Sequence, residues 1–189
     1  MGNSASLGMA LVQEVEGRNV LFASGDSETS QWGVLAAHYD HLGFGGEGSL
    51  FRGERQMHAG ADDNASGVAA MIELARRFSE RSPENEILWA GFSGEEKGLW
   101  GSNHFCKNAV IGLDSIKYMI NLDMVGRMRG DTLAVYGVGT SPKWMELLES
   151  CNKDSLTLIP SESGVGPSDH TSFYLVDIPV LHFFTGQHP

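Results

Sequence analysis

The sequence predicts an α/β fold in which a mixed, mostly parallel sheet is covered by helices on both faces. Two observations lead to this prediction. Short apolar runs typical of strands alternate along the chain with segments whose apolar residues recur at helical spacing. The run Ile87–Phe92 lacks polar side chains altogether. Such a run is expected of a strand that is covered on both faces, as the strands of parallel sheets are.

Eight segments have the length and composition of strands. In chain order they are Met9–Val15, Val20–Ala23, Val34–Ala37, Ile87–Phe92, Tyr118–Leu122, Leu133–Val138, Leu156–Ile159 and Val180–Phe184. Between the third and fourth strands, Gly43–Gly60 is rich in glycine and polar residues and predicts a long loop. Loops of this length are uncommon unless they are functional, so we expect it to border a functional site.

Three segments predict helices. The first follows Asn64, a residue suited to cap a helix, and has apolar residues at positions 68, 71, 72, 75 and 78. Ser141 and Pro142 predict the start of a second helix, because serine is a common cap and proline is favoured at the first helical position. Its apolar face is expected to hold Trp144, Leu147, Leu148 and Cys151. A third helix is expected from about Asp169.

Size and charge narrow the classes of protein to consider. The chain has 189 residues, 41% of them hydrophobic, which predicts a single domain over residues 1–189. Its 13 basic and 24 acidic residues give a net charge of -11, which disfavours nucleic acid and anionic membranes as partners. No apolar run approaches the roughly 18 residues of a membrane span.

The two cysteines predict no metal site of their own. Cys106 and Cys151 form no Cys-rich zinc site, and both are expected to be buried apolar side chains.

Residues of types that can bind metal ions follow several of the predicted strands and lie at the start of two of the predicted helices. They are His38, Asp63, Glu95, Glu96, Asp123 and His170. Loops at the carboxyl ends of strands in an open α/β sheet converge on one edge, so we expect these side chains to meet there. Zinc accepts imidazole nitrogen and carboxylate oxygen, and a carboxylate can bridge two ions. The sequence therefore predicts a two-metal hydrolytic centre.

Two carboxylates in these clusters have different expected roles. Glu95 and Glu96 are consecutive and point in different directions, so one can bind metal while the other faces water. A carboxylate beside the reacting water is the natural general base. Asp40 lies two residues after His38, on the same side of an extended segment. It can accept the second N–H of the imidazole and fix its tautomer.

The chain resembles the M28 family of zinc metallopeptidases, which contains bacterial leucyl aminopeptidases. Five matching segments occur in the family's order: His38–Gly43, Gly60–Gly67, Gly94–Ser102, Asn121–Met124 and Ser168–His170. The resemblance covers residues 34 to 188. It implies an eight-stranded mixed sheet between helices. Family members usually continue beyond the C-terminal segment and many begin with extra helices, so a minimal or truncated catalytic core is expected.

Carried over position by position, the resemblance implies two Zn²⁺ ions per chain. Asp63 would bridge them, Glu96 and His170 would bind one, and His38 and Asp123 the other. Glu95 would be the general base and Asp40 would orient His38. The implied reaction is hydrolysis of an N-terminal residue, often apolar, from a peptide substrate. The resemblance also favours a secreted or periplasmic protein, although the chain starts without a recognisable signal peptide.

Other interpretations of the same residues remain open. The site could act on carboxyl-terminal residues, or cyclise N-terminal glutamine, as branches of the family do. The fold could also serve as a non-enzymatic zinc-binding module, although no predicted ligand or base is missing. The sequence specifies no oligomeric state. For the remaining histidines a structural role is expected; they are His41, His58, His104, His182 and His188.

Overall fold

The computed structural model of the chain describes residues 16–24, 31–46, 48–80 and 86–187. Within them one sheet contains seven strands: β1 (Val20–Ser24), β2 (Trp32–His38), β3 (Glu86–Phe92), β4 (Ile116–Leu122), β5 (Thr132–Tyr136), β6 (Thr157–Ser161) and β7 (Val180–Phe184). All seven correspond to predicted strands. The eighth predicted strand, Met9–Val15, lies outside the described residues, so the count of eight stays a prediction.

The strands are arranged in the order β1-β3-β2-β4-β7-β5-β6. The pairs β2–β3, β2–β4, β4–β7 and β5–β6 are parallel, whereas β1–β3 and β5–β7 are antiparallel. The mixed sheet is therefore confirmed. Its parallel centre consists of β3, β2, β4 and β7, and the direction changes towards both edges.

Within the described residues, four α-helices cover the two faces of the sheet, and coverage of both faces was predicted. They are α1 (Gly67–Ser79), α2 (Trp100–Lys107), α3 (Trp144–Cys151) and α4 (His170–Tyr174). Helices α1 and α3 pack on one face, and α2 and α4 pack on the other. Helix α2 was not predicted, because only Phe105 and Cys106 contribute large apolar side chains to its buried face. None of the described helices has the length and apolar character needed to cross a bilayer.

Alternating side chains of the central strands form the two halves of the core. On β2, Val34 and Ala36 face α2 and α4, while Leu35 and Ala37 face α1. Trp89 of β3 is fully buried on the α1 side, where its ring lies 5.6 Å from that of Phe78. Because these strands are buried on both faces, their sequences read as continuous apolar runs.

The region after β4 departs from the predicted boundaries. Strand β5 ends at Tyr136 rather than at residue 138, and α3 begins at Trp144 rather than at Ser141. The predicted apolar face of α3 was partly wrong, since Leu147 and Cys151 are exposed. The buried face is formed by residues 144, 145 and 148, because these point towards the sheet. Cys106 is buried as predicted.

The topology brings three predicted site segments to one edge. Strands β3, β2 and β4 are adjacent and parallel, so the segments that follow their carboxyl ends lie side by side. Among the described positions between 39 and 60 there is no helix or strand, in agreement with the predicted loop. The sheet thus presents His38, Glu95 and Asp123 along a single rim.

Asn64 joins the turn before α1 to the end of β4. Its Oδ1 accepts the backbone N–H groups of Gly67 and Met124, at 3.0 and 3.2 Å, and its Nδ2 donates to the carbonyl of Leu122 at 3.0 Å. Helix α1 begins at Gly67, so Ser66 and not the predicted Asn64 directly precedes it, but the Asn64 side chain still accepts the first N–H of the helix. A Cβ atom at Gly67 would collide with the Leu122 carbonyl and the Asn64 side chain, so the close approach requires glycine.

Candidate metal centre

His38 ends β2 and is almost completely buried, with 1% of its surface exposed. Its Nε2 lies 3.2 Å from Oδ1 of Asp63 and 3.4 Å from Oδ1 of Asp123. Its Nδ1 lies 3.1 Å from the backbone carbonyl oxygen of Asp40, which can only accept a hydrogen bond. The proton on Nδ1 is fixed by this contact, so Nε2 is the nitrogen directed at the carboxylates.

The carboxylate of Asp40 contacts the imidazole of His38 on its Nδ1 side. One of its oxygens lies 3.6 Å from Nδ1 of His38. The two oxygens accept the backbone N–H groups of Glu95, at 3.1 Å, and Glu96, at 3.3 Å. Burial alone would raise the pKa of Asp40, but His38 and these N–H groups lower it. Asp40 therefore fixes the turn that carries the two glutamates as well as contacting the imidazole.

Glu95 and Glu96 lie in a single turn, Glu95–Lys97, directly after β3. Gly94 enters this turn with φ +71°, a conformation that glycine adopts without steric cost. One ligand atom of Glu95 lies within 4.8 Å of one from His38 and one from Asp123. Burial, together with the negative charges of Asp169, Asp123 and Glu96, raises the pKa of Glu95 to about 8 despite the opposing effect of His38.

A second group lies on the other side of Asp63. His41, Asp63 and Glu96 each offer a ligand atom, and these atoms lie within 4.8 Å of one another. Nδ1 of His41 is 2.8 Å from Oε1 of Glu96 and 3.9 Å from Oδ2 of Asp63. The sequence interpretation missed His41. His41 lies three residues after His38. In a segment that is neither helix nor strand, this spacing does not place the two side chains on a common face, so the sequence contained no usable signal.

His170 does not join either group. It is fully buried at the first position of α4, where its ring stacks on that of His182 with centroids 4.4 Å apart. Neither ring nitrogen has a hydrogen-bond partner among the described residues. Burial lowers the pKa of His170 to about 3 and that of His182 to about 4, so both rings are neutral at pH 7. The predicted pairing of His170 with Glu96 is thus absent from the described contacts.

The charges of the site fit divalent cations. Burial alone would lower the pKa of His38, but Asp123, Asp40 and Asp63 raise it well above its usual value. Burial and the neighbouring Asp63 raise the pKa of Glu96. Both pKa values are raised because the carboxylates are crowded, so the site attracts positive charge strongly. Imidazole nitrogen with carboxylate oxygen is also a donor set that zinc accepts.

A small cavity of about 290 Å³ opens beside these carboxylates. Its walls include Asp63, Glu95, Glu96 and Asp123, together with the apolar surfaces of Met124, Tyr136, Pro167 and Phe184. No arginine or lysine is among the described residues that line this cavity. A wider groove of about 740 Å³ begins on the other side of Asp63, under the loop that contains Leu50 and Phe51.

Comparison with known proteins agrees with this geometry. The model of peptidase family M28 matches residues 19–189. Aminopeptidase YwaD of Bacillus subtilis (strain 168) is 30% identical over 162 residues, which is 81% of this chain and 32% of YwaD. A probable zinc metalloprotease of Pyrenophora tritici-repentis (strain Pt-1C-BFP) is 45% identical over 75 residues, covering 38% of this chain and 17% of that protein.

A solved structure has the same fold. The zinc aminopeptidase BSAP from Bacillus subtilis superposes with a TM-score of 0.72 and 26% sequence identity, over 89% of this chain and 40% of that chain. The present chain spans about a sixth to a third of the length of the two curated relatives named above. Since the family model covers nearly the whole sequence, the chain belongs to peptidase family M28.

Proposed function

We propose that the chain is the catalytic core of a di-zinc aminopeptidase, which removes the N-terminal residue of a peptide. The observation that carries this proposal is the meeting of two histidine–carboxylate groups at Asp63. One oxygen of Asp63 is directed at His38 and the other at His41. Such a carboxylate is suited to bridge two ions, as in two-metal aminopeptidases. Together with Asp63, His38 and Asp123 would form one metal-binding position, and Glu96 would belong to the other.

Glu95 is the proposed general base. Bound zinc supplies a Lewis acid for the scissile carbonyl and lowers the pKa of water to about 7. The carboxylate of Glu95 accepts a proton from the attacking water as the new C–O bond forms. It then delivers that proton to the leaving nitrogen as the C–N bond breaks. Bound cations would lower the pKa of Glu95, because a nearby positive charge favours the ionised carboxylate.

Asp40 is the proposed positioning residue for this reaction. Its carboxylate accepts hydrogen bonds from the backbone N–H groups of Glu95 and Glu96. Its backbone carbonyl accepts a hydrogen bond from Nδ1 of His38. The base and one ligand are therefore oriented by the same residue. Such preorganisation keeps the reacting groups in register.

The cavity beside the site favours an amino terminus over a carboxyl terminus. Carboxylates line it, and the described lining residues include no arginine or lysine to bind a substrate carboxylate. Met124, Tyr136 and Phe184 give the same cavity apolar surface for one side chain. We therefore propose that the substrate is a peptide with a free amino terminus and an apolar first residue.

The test compares one leucyl peptide in three forms: with free ends, with a blocked amino end and with a blocked carboxyl end. Zinc-loaded protein is expected to release leucine from the free and carboxyl-blocked forms and to leave the amino-blocked form intact. Cleavage that requires a free carboxyl end would instead indicate a carboxypeptidase. Ring closure of an N-terminal glutamine peptide without hydrolysis would indicate a cyclase. A folded, zinc-loaded protein inactive on every peptide would contradict an enzymatic function.

A further inference from the structure

Large apolar side chains are exposed on the segment between β2 and α1. They are Phe44, Leu50, Phe51 and Met57, and Leu50 is the most exposed of them, at 86%. Single exposed apolar residues are common on protein surfaces, whereas several on one segment beside a groove mark a binding surface. Leu50 and Phe51 also line the groove of about 740 Å³. These two side chains are therefore placed to contact a molecule in the groove.

The groove continues into the candidate site. Its walls share Asp63, Glu96, Met124 and Gln187 with the cavity of about 290 Å³. That cavity is the proposed position of the first side chain of the substrate. With the scissile bond beside Asp63 and Glu96, the next residue of the peptide extends from the cavity into the groove. The groove thus lies on the leaving side of the bond that is cleaved.

Hydrogen bonds fix the chain on both sides of Leu50. Nδ1 of His58 lies 3.1 Å from the carbonyl oxygen of Gln56, which only accepts hydrogen bonds, so this nitrogen carries the proton of the neutral ring. Nε2 then accepts the hydroxyl of Ser49 at 2.7 Å. Oγ of Ser49 accepts the backbone N–H of Phe51 at 3.2 Å. Leu50 therefore lies between two residues that are held in place.

The ring of Phe51 is held by packing. It meets the ring of His58 edge-on, with 6.3 Å between the centroids and 84° between the planes. It also covers the backbone of Gly53, where a Cβ atom would collide with it. Because this apolar surface is ordered before a ligand arrives, binding to it costs less conformational entropy than binding to an unordered segment would.

We propose that Leu50 and Phe51 bind an apolar side chain of the second substrate residue, on the leaving side of the scissile bond. This inference rests on the proposed aminopeptidase function. It narrows the substrate class to peptides whose first and second residues are both apolar. Leu42 and Ala59 line the same groove and add apolar surface for that side chain. The competing occupant of this surface is a second copy of the chain.

The experiment measures kcat/KM of the zinc-loaded protein on leucyl-leucine amide and leucyl-glycine amide. The two substrates have the same first residue and the same kind of scissile bond, so the ratio of their kcat/KM values reports contact with the second side chain. The unaltered chain is compared with Leu50→Ser, Phe51→Ser and Leu175→Ser. Leu175 is the matched control, because it is an exposed leucine directly after α4 and does not line the groove.

A second readout does not depend on turnover. Each of the two peptides is prepared as an analogue in which a CH₂–NH group replaces the scissile amide, so that the protein cannot cleave it. The affinities of the zinc-loaded protein for both analogues are measured by calorimetry. The same four proteins are compared.

The unaltered chain and Leu175→Ser are expected to prefer leucyl-leucine amide by about 10-fold or more, the range that a small apolar difference gives in a hydrophobic pocket. In Leu50→Ser and Phe51→Ser this preference is expected to fall by about 10-fold, because serine offers the second side chain little apolar surface. The affinities for the two analogues should change in parallel.

Equal ratios in Leu50→Ser, Phe51→Ser and Leu175→Ser would overturn the inference. It is also overturned if sedimentation of the unaltered chain reveals a dimer that Leu50→Ser abolishes, since the surface would then bind a second copy. If folded, zinc-loaded protein cleaves neither amide, the aminopeptidase proposal fails and calorimetry decides on the groove. Equal affinities for the two analogues would then overturn the inference, whereas a preference for the leucine analogue that Leu50→Ser removes would support it.

Discussion

The Nε2 atom of His38 lies 3.2 Å from Oδ1 of Asp63. This contact joins the end of β2 to the turn that precedes α1, two segments separated by a long loop. The second oxygen of Asp63 lies 3.9 Å from Nδ1 of His41, so the Asp63 carboxylate is within 4 Å of both imidazoles. Asp63 is thus the shared element of the two donor groups.

Replacement of Asp63 should affect both zinc positions at once. Asp63→Asn is expected to lower the zinc content from about two ions per chain to one or fewer, because a neutral amide bridges two cations poorly. Asp123→Asn should affect only the position with His38. Zinc is measured by atomic emission after gel filtration. Equal losses in the two variants would count against a bridging role.

The base can be separated from the metal ligands by substitution. Glu95→Gln is expected to reduce turnover of a leucyl peptide by about 10²–10⁴-fold, the usual contribution of general acid–base catalysis. Its zinc content should stay unchanged, because the proposed ligands are His38, Asp63, Glu96 and Asp123. Activity and zinc are measured on the same preparation. Loss of zinc together with activity would assign Glu95 to metal binding instead.

The raised pKa of Glu95 predicts a pH dependence of stability in chelator-treated protein. In the folded state the pKa is about 8, against an ordinary value of 4.5. Between these values the unfolded chain is ionised while the folded chain retains the proton, so folding stability falls as pH rises from about 4.5 to 8. Above pH 8 this contribution is constant.

Glu95→Gln lacks this titration. The difference in melting temperature between Glu95→Gln and the unaltered chain, measured with EDTA, should therefore grow in favour of the variant from pH 4.5 to 8. A difference that does not change with pH would mean that Glu95 is ionised throughout this range.

Asp40 should influence zinc without binding it. Asp40→Asn is expected to weaken zinc binding by about 10–100-fold, because the variant loses one anionic partner of His38 and of the Glu95 and Glu96 amides. Affinity is measured by competition with a chelator of known strength. Asp114→Asn, at an exposed position before β4, is the control. Identical zinc affinities for the two variants would show that the Asp40 carboxylate does not contribute to zinc binding.

Gly67 tests the packing that places Asn64. Gly67→Ala is expected to destabilise the protein by about 1–3 kcal/mol, since its Cβ would overlap the Leu122 carbonyl and the Asn64 side chain. Gly112→Ala is the matched control, because there a Cβ meets only the Ser115 hydroxyl, at 4.0 Å. Stability is measured by urea unfolding. Equal stability of the two variants would show that the turn before α1 adjusts freely.

The sequence was most informative where a strand is buried on both faces. The apolar runs of β2, β3 and β4 marked their own ends, and therefore also the positions of His38, Glu95 and Asp123. It was less informative where tertiary packing decides. The face of α3 depends on how the helix meets the sheet, so the exposure of Leu147 and Cys151 could not be read from spacing.

The two histidines show the same limit at the site. His170 follows an aspartate in a segment that matches the family, yet its position in α4 turns its ring towards His182. His41 lies in a loop without periodicity, so nothing in the residue pattern indicated that its ring would reach Glu96. Contacts between loops depend on the path of each loop, which apolar periodicity does not describe.

The most direct measurement is an anomalous difference map at the zinc absorption edge, from crystals of the zinc-loaded protein. Two peaks are predicted roughly 3.5–4 Å apart, with Asp63 in contact with both. One peak should also contact His38 and Asp123, and the other Glu96. A single peak, or two peaks that Asp63 does not bridge, would contradict the two-zinc centre.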